Sequence, residues 1–253
     1  MSARAPDDLR YELSRVRLSD GLETTVYVVA HPRSATSVRA VCFDEPQHLD
    51  RWCVAHGRPE GIVAGFFVRD PWRPLGEARI DGRAVVHEPI AEPFAAARGC
   101  VHLAPEGPIR IAARAELPDE PAGDLIQAGP ILVSGGRVVL DGIDREGFSA
   151  GSAQFDSDIT AERHPRCALG ISDDEVLAVC CDGRRTGVDA GLDLAELARL
   201  FVSLGATDAI NLDGGGSATL VHRGHLLNRP YSSVDQAGPE SRPVVTALMF
   251  DRR

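Results

Sequence analysis

Three consecutive glycines stand in the segment Asn211-Leu-Asp-Gly-Gly-Gly-Ser217, between two short runs typical of β-strands. Residues 209–212 have the pattern of the end of a buried strand and residues 218–221 that of the next strand. An ordinary hairpin turn needs only one or two glycines, and each further one destabilises regular structure by roughly 0.5–1 kcal/mol relative to alanine. Because glycine permits positive φ and leaves N–H groups uncovered, the turn predicts a backbone nest for an anion, with Asp213 and Ser217 at its rim.

Other glycine-loop chemistries do not fit these residues. A Walker phosphate loop ends in Gly-Lys-Ser/Thr, and the chain contains no lysine. A nucleophile elbow requires Gly-x-Ser-x-Gly, whereas Ser217 is followed by Ala218 and Thr219. A dinucleotide-binding loop opens a helix, but residues 218–221 are short and contain β-branched side chains. The turn is therefore interpreted as a ligand site of another kind.

Composition limits the classes of ligand. The chain has 253 residues, 43% of them hydrophobic, so it is long enough to bury a sizeable core. Its formal net charge of −10 argues against broad binding to nucleic acid or to an anionic membrane surface. All 27 lysine-plus-arginine positions are arginine, so an anion would be held by a local group of guanidinium donors. A small anionic molecule is the expected partner, and the oligomeric state is left open.

Targeting and metal-binding motifs are not evident in the sequence. The first eight residues lack the apolar stretch of a signal peptide, and no run approaches the roughly 18 apolar residues of a membrane span. A cytoplasmic location is therefore expected. The six cysteines are dispersed without a Cys-x-x-Cys pair, and no histidine pair has the His-x-x-x-His spacing with an acidic partner. No cofactor is predicted, although a divalent cation is compatible with the sequence.

The hydrophobic pattern predicts a β-rich α+β fold, with a mixed sheet and few covering helices. Strands near residues 9–18, 24–30 and 37–43 would form an N-terminal β-meander. Residues 131–140 predict a hairpin, because Gly135-Gly136 supplies a two-residue turn. The sequence thus predicts that these segments are strands joined by short turns.

One β-α-β-like unit is predicted near residues 175–212. Its helix, residues 194–204, is marked by Asp193 as N-cap with Glu196 three residues later. The helix lies between strands at 175–182 and 208–212. If these strands are parallel, the Asp-Gly dipeptides that follow them meet at one edge of the sheet, where ligands collect.

The glycine-containing heptapeptide closely resembles a motif of the phosphodiester glycosidase family, and other segments resembling that family follow in the expected order. These are Gly65-Phe66-Phe67, Pro74-Leu75-Gly76, Ala128-Gly129-Pro130, Arg163-His-Pro-Arg166, Asp182-Gly183-Arg184, Asn228-Arg-Pro230 and Arg242-Pro-Val244. The resemblance implies a hydrolase that cleaves a sugar–phosphate bond. One departure is Val63-Ala64-Gly65, where members commonly have Asn-Gly-Gly, which implies the loss of a polar contact near the site.

The resemblance covers the chain from about residue 60 to its end. We therefore expect a single phosphodiester glycosidase-like domain over residues 1–253, with the N-terminal strands and a short helix in 1–58 and the family-like core in 60–253. Residues 142–163 show little periodicity, and a loop of that length is typical either of a functional flap or of a spacer.

Hydrolysis at the anomeric carbon of a glycosyl phosphate releases a weakly basic phosphate, so a strong general acid is unnecessary. The reaction needs positive groups for that phosphate and a carboxylate that activates water or attacks. Asp213 and Asp182 are the candidate carboxylates, and His164 could act as acid or base near neutral pH. Arg166 and Arg184 are candidates for bidentate phosphate contacts.

The other candidate substrate-binding residues come from the same segments. Alternation along a strand allows at most one of the neighbours Phe66 and Phe67 to face the site. The predicted set comprises Asn211, Gly214, Gly215, Gly216, Ser217, Phe67, Arg242 and Asn228.

Two alternative functions are compatible with these residues. A non-catalytic module for phosphorylated sugars or nucleotides would keep the turn and the arginines, and Val63 favours it slightly. A metal-dependent phosphodiesterase would cleave P–O and not C–O, and it would need Asp182, Asp213 and His164 to converge on the metal. The leading hypothesis is a phosphodiester glycosidase acting on an intracellular small molecule.

Overall fold

The structure is a computed structural model that describes residues 9–149, 159–231 and 241–253. Strands predominate in the described residues. In chain order the strands are β1 Arg10–Arg17, β2 Glu23–Pro32, β3 Thr36–Gln47, β4 Gly61–Val63, β5 Phe67–Arg69, β6 Trp72–Pro74, β7 Ala78–Ile80, β8 Arg83–Ala84, β9 Gly99–Leu103, β10 Ile109–Ala113, β11 Asp124–Gln127, β12 Ile131–Ser134, β13 Arg137–Val138, β14 Arg166–Ile171, β15 Glu175–Cys181, β16 Asp208–Asn211, β17 Leu220–His222, β18 His225–Leu226 and β19 Val244–Arg252. The α-helices are α1 Leu49–Ala55, α2 Phe94–Ala97 and α3 Leu194–Ser203, and short 3₁₀ turns occur at Arg114–Glu116 and Gly215–Ser217.

The strands form three larger sheets and one short ribbon. The seven-stranded sheet has the order β1-β2-β15-β14-β16-β12-β13. The two five-stranded sheets have the orders β10-β9-β11-β7-β8 and β18-β17-β4-β19-β3, and β5 pairs with β6. Every pairing of these strands in the described chain is antiparallel. The β-rich α+β class is confirmed, and the sheet expected to be mixed is antiparallel in its ladders.

The seven-stranded sheet is buried on both faces. Val28 of β2 and Ala168 of β14 pack in the same cluster as helix α3, whereas Val29 and Leu169, their neighbours in sequence, belong to a core shared with the five-stranded sheets. Successive side chains of a strand point to opposite faces, so a sheet covered on both sides requires continuous apolar runs. This explains why the central strands show little polar alternation.

The β-α-β-like unit is present, with one strand inserted. β15 and β16 run in the same direction, but β14 lies between them and is antiparallel to both. The assumption that the two strands pair directly is therefore wrong. The two strands nevertheless end at the same edge of the sheet, as predicted, because parallel strands separated by one antiparallel strand still end on the same side. The start of β14 lies at that edge too, since Arg166 is paired with Cys181.

Helix α3 and the hairpin agree with their sequence signals. Asp193 Oδ1 accepts a hydrogen bond from the Glu196 N–H at 2.7 Å, and Glu196 Oε2 accepts one from the Asp193 N–H at 3.0 Å. This reciprocal capping box fixes the start of the helix. Gly135 and Gly136 connect β12 to β13 with φ of 56° and 74°, values that glycine adopts without strain.

The N-terminal strands do not form the predicted meander. β1 and β2 pair as expected, but β2 continues onto β15, whereas β3 pairs with β19 in another sheet. Local strand patterns cannot reveal this separation, because partners are chosen by long-range burial. Residues 150–158 of the predicted loop at 142–163 lie outside the described residues. No helix in the described ranges is long and apolar enough to cross a membrane.

Candidate active site

A cavity of about 290 Å³ lies at the sheet edge where β15 and β16 end and β14 begins. All of the predicted site residues except Asp182 and Asn228 line it. A larger, open cavity of about 920 Å³ includes Arg33 and Asp173, near the opposite ends of the same strands, and none of the predicted site residues line it. We therefore place the candidate active site in the smaller cavity.

Glycines allow three chain segments to meet at the cavity. A β-carbon on Gly183 would lie 2.6 Å from the Pro165 nitrogen, and one on Gly214 would lie 2.7 Å from the Pro165 carbonyl oxygen. Backbone atoms cannot move aside as the end of a side chain can. The segments that follow β15 and β16 therefore pack directly on the residues preceding β14, and this contact requires glycine in both.

Asp213 is the carboxylate of the cavity. Its Oδ1 accepts a hydrogen bond from the Gly214 N–H at 2.8 Å, and the Ser217 hydroxyl also bonds to it. Burial raises the pKa of Asp213 to about 6, while these hydrogen bonds and the charges of Arg242 and Arg69 oppose the rise. A carboxylate with a pKa near neutrality can accept a proton at physiological pH and release it again, as a general base must.

The glycine turn is not the open nest that the sequence predicts. The N–H of Gly214 donates to Asp213, and the N–H of Gly215 donates to the Pro165 carbonyl at 2.7 Å. Two of the expected anion donors are thus engaged within the protein. The turn instead positions Asp213 and makes room for side chains that approach it from outside.

Two guanidinium groups occupy that room. A β-carbon on Gly216 would lie 2.5 Å from Arg242 Nη2, and one on Gly215, where φ is +57°, would lie 3.4 Å from Arg184 Nη1. Arg69 also lines the cavity wall. Sequence reasoning missed it, although Arg69 lies two residues after Phe67 in β5 and the period of a strand places both on one face.

Arg166, predicted to contact phosphate, is engaged by backbone carbonyls. It lines the cavity, but its Nε donates to the Leu192 carbonyl at 3.0 Å and its Nη2 donates to the carbonyls of Ile159 and Glu162 at 2.6 and 2.9 Å. Its side chain is almost completely buried. Arg166 therefore ties residues 159–162 and the segment before α3 to the start of β14, which leaves Arg184, Arg242 and Arg69 as the candidates for phosphate contact.

His164 accepts hydrogen bonds from Arg184. The Nη2 of Arg184 lies 2.9 Å from His164 Nδ1, and its Nε donates to the same atom at 3.2 Å. A guanidinium can only donate, so Nδ1 is an acceptor and a neutral His164 carries its proton on Nε2. That Nε2 lies 3.5 Å from Glu162 Oε2. His164 thus orients Arg184, which adopts an uncommon positive φ of 57°.

An amide and two aromatic rings complete the wall. Asn211 Nδ2 donates to the carbonyls of Gly129 and Leu212, both at 2.9 Å, which orients its buried Oδ1 as an acceptor without a partner in the described chain. Both Phe66 and Phe67 line the cavity, contrary to the expectation from strand alternation. The alternation does not apply because Phe66 precedes the first residue of β5.

Two predicted site residues lie elsewhere. Asp182 is fully buried outside the cavity wall, and its carboxylate accepts hydrogen bonds from the Arg229 N–H at 2.7 Å and the Tyr27 hydroxyl at 3.0 Å. Burial raises its pKa, and these bonds oppose the rise. Asn228 bridges the Leu220 N–H and the Ala218 carbonyl at the start of β17. The polar atoms of both residues are thus engaged within the protein, outside the cavity wall.

Val63, where the sequence departs from the family pattern, lies in the core and not at the site. Val63 lies in β4, has no exposed surface and belongs to the main core. It is not part of the cavity wall. The expected loss of a polar contact at the site therefore does not follow from this residue.

The site thus combines one carboxylate with several arginines at the edge of an antiparallel sheet, and comparisons with known proteins identify the family. The sequence profile described as phosphodiester glycosidase matches residues 57–251. The chain therefore belongs to the phosphodiester glycosidase family. No curated protein sequence gives a significant match.

Solved structures share the fold at low sequence identity. The zebrafish N-acetylglucosamine-1-phosphodiester alpha-N-acetylglucosaminidase catalytic domain, auto-inhibited by its pro-peptide, is 18% identical with a TM-score of 0.75, covering 100% of this chain and 86% of that one. A hypothetical protein from Synechocystis is also 18% identical, with a TM-score of 0.71, and the match covers 97% of this chain but only 62% of the Synechocystis chain. At these identities the likeness shows the fold alone.

Proposed function

We propose that the protein hydrolyses the glycosidic C–O bond of a small glycosyl phosphodiester, with Asp213 as general base. The observation that carries this proposal is the environment of Asp213, a carboxylate whose pKa is raised to about 6 in a cavity that it shares with Arg69, Arg184 and Arg242. The membership of the chain in the phosphodiester glycosidase family supports the same reaction class.

The proposed reaction uses each group for one task. Water attacks the anomeric carbon, Asp213 accepts its proton, and the C–O bond to the phosphate breaks with its electron pair on the phosphate oxygen. Negative charge therefore grows on the phosphate in the transition state. Arg184 and Arg242 stabilise that charge, and preorganised donors of this kind supply the largest share of many rate enhancements. The Asn211 Oδ1, which has no partner among the described residues, would accept a hydrogen bond from a sugar hydroxyl or from the attacking water.

The metal-dependent alternative is less well supported by the arrangement of side chains. It requires Asp182, Asp213 and His164 to converge, but the Asp182 carboxylate bonds Tyr27 and Arg229 outside the cavity. His164 Nδ1 is already an acceptor for Arg184. No group of three or more His, Cys, Asp or Glu side chains in the described ranges is arranged to hold a metal ion.

The position of the broken bond tests the proposal. Turnover of a panel of glycosyl phosphodiesters in ¹⁸O-labelled water should place the label in the released sugar, since water attacks carbon. Label in the phosphate would show P–O cleavage and would contradict the mechanism. Binding of the panel without any turnover would support the non-catalytic module instead. An Asp213→Asn variant, assayed in parallel, controls for contaminating hydrolases.

A further inference from the structure

The cavity contains more positive charge than a phosphodiester can neutralise. Arg69, Arg184 and Arg242 line it together with one carboxylate, Asp213. Within the described chain no carboxylate forms an ion pair with any of these three arginines. Arg166 also lines the cavity, but its guanidinium donates to backbone carbonyls. The wall therefore carries at least two more positive than negative charges.

The three guanidinium groups are held close to one another. Arg242 lies against Gly216, and Arg184 lies against Gly215 and donates to His164. Both line the same cavity as Arg69. Burial and the charge of Arg69 lower the pKa of Arg242, Asp213 opposes this shift, and Arg184 adds to it. Like charges kept together with only one counter-charge destabilise the free protein, which is expected where an anionic ligand supplies the missing charge.

The charge of the phosphate changes during the proposed reaction. A phosphodiester carries one negative charge, whereas a phosphate monoester carries about −1.5 to −2 at neutral pH. We propose that the cavity binds the phosphate monoester product more tightly than the phosphodiester substrate, with Arg69 contributing to this preference, so that the enzyme is inhibited by its product. This inference rests on the proposed function, because only hydrolysis of a diester turns one charge form into the other.

Arg69 is placed to interact with the additional negative charge of a phosphate monoester. It ends β5, and its side chain is exposed and forms no hydrogen bond within the described chain. Arg242 is partly buried against Gly216, and Arg184, although exposed, lies against Gly215 and is held by His164. These two arginines on the glycine turn can satisfy the single charge shared by both ligands. A third guanidinium then adds attraction chiefly for the ligand that brings further charge. Because Arg69 is exposed, solvent screening keeps its effect to several-fold.

Direct binding measurements can test this without turnover. Phenyl phosphate and methyl phenyl phosphate differ by one methyl group and one charge, and neither is a glycoside. Titration calorimetry at about pH 7.5, where a monoester is mostly the dianion, should give at least a tenfold tighter dissociation constant for phenyl phosphate. In Arg69→Gln the ratio should fall several-fold, chiefly through weaker binding of phenyl phosphate.

A matched control separates local from overall charge. Arg137 is an exposed arginine of β13 outside the described cavities, and Arg137→Gln removes the same charge from the protein. It should leave the ratio unchanged. Equal affinities of the two ligands in the wild type, or a ratio unaltered by Arg69→Gln, would overturn the inference. Hydrolysis of a glycosyl phosphodiester without this preference refutes only the inference, whereas the preference without hydrolysis refutes only the proposed function.

Discussion

Arg242 lies so close to Gly216 that a β-carbon at position 216 would be 2.5 Å from the Nη2 atom of the guanidinium. The neighbouring Gly214 meets backbone atoms of Pro165 instead. The glycines of the turn therefore have different functions, one in packing the chain and another in admitting an arginine to the carboxylate of Asp213. A single sequence motif thus encodes both the scaffold and the electrostatics of the site.

Substitution of Gly216 should affect ligand binding more than folding. In Gly216→Ala the new methyl group would displace the flexible end of Arg242 and not the backbone. We expect KM for a glycosyl phosphodiester, or the dissociation constant of phenyl phosphate, to rise roughly tenfold, which is about 1.4 kcal/mol. The melting temperature should change little. Steady-state kinetics and calorimetry measure the two quantities.

A double-mutant cycle checks that the effect passes through Arg242. If Gly216→Ala acts by moving that guanidinium, its penalty should largely disappear in the background of Arg242→Met. Fully additive penalties would show that the methyl group damages the site by another route.

Removing the charge of Asp213 should abolish catalysis and preserve binding. Asp213→Asn keeps the size of the side chain but cannot accept the proton of water, so kcat should fall by on the order of 10² or more while KM changes little. Rapid-quench or steady-state assays of the same substrate give both constants. Unchanged kcat with a large rise in KM would assign Asp213 to holding a sugar hydroxyl.

Asp182→Asn should show the opposite behaviour. The carboxylate of Asp182 accepts from the Arg229 N–H and the Tyr27 hydroxyl outside the cavity, and an amide cannot reproduce both acceptors. Stability should fall by roughly 1–3 kcal/mol in chemical denaturation, with kcat close to the wild-type value below the unfolding transition. A loss of kcat in a fully folded variant would return Asp182 to the catalytic role expected from sequence.

The pH dependence of the proposed hydrolysis should report the pKa of Asp213. Since the free carboxylate is the proposed base, kcat/KM should rise with pH and level off above about 6, the raised pKa of this group. An activity that instead falls as pH rises through 6 would require protonated Asp213. The profile is measured with a substrate whose own phosphate does not titrate in this range.

The stability of the fold should depend on the same pKa, but it should fall as Asp213 loses its proton, whereas activity should rise. The pKa of Asp213 is higher in the folded protein, about 6, than the roughly 3.9 of an unfolded chain. Its protonated form therefore favours folding below about pH 4, and this contribution, roughly 2–3 kcal/mol, is lost as pH rises to 6. The difference in unfolding free energy between the wild type and Asp213→Asn, measured across this range, isolates the effect.

Arg166→Lys should primarily reduce stability. Lysine keeps the charge but cannot reach the carbonyls of Leu192, Ile159 and Glu162 together, so buried acceptors lose their donors. We expect a loss of roughly 2–3 kcal/mol. Differential scanning calorimetry measures it. If the variant melts like the wild type but binds phenyl phosphate far more weakly, Arg166 contacts phosphate as the sequence suggested.

Local signals in the sequence were sufficient for several elements. The capping box of Asp193 and Glu196 and the Gly135-Gly136 turn each depend on neighbours within a few residues, so helix α3 and the hairpin could be predicted. The glycine turn and Asp213 were found in the same way, because three glycines after a buried strand have few structural explanations.

The partners of those elements were decided by long-range packing. Nothing near β2 and β3 in sequence indicates that they join different sheets, or that β14 enters between β15 and β16. These pairings bury apolar faces contributed by segments more than 100 residues apart, such as β2 and β15.

The same distinction applies to the polar residues of the site. The sequence by itself determined which residues gather at the sheet edge, since Arg166, Asp182 and Asp213 all follow or precede its strands. Only the tertiary structure decided their contacts, because the donor and acceptor atoms around a guanidinium or a carboxylate determine what it binds. Carbonyl groups of the chain engage Arg166, Tyr27 and Arg229 engage Asp182, and Asp213 is the carboxylate that lines the cavity.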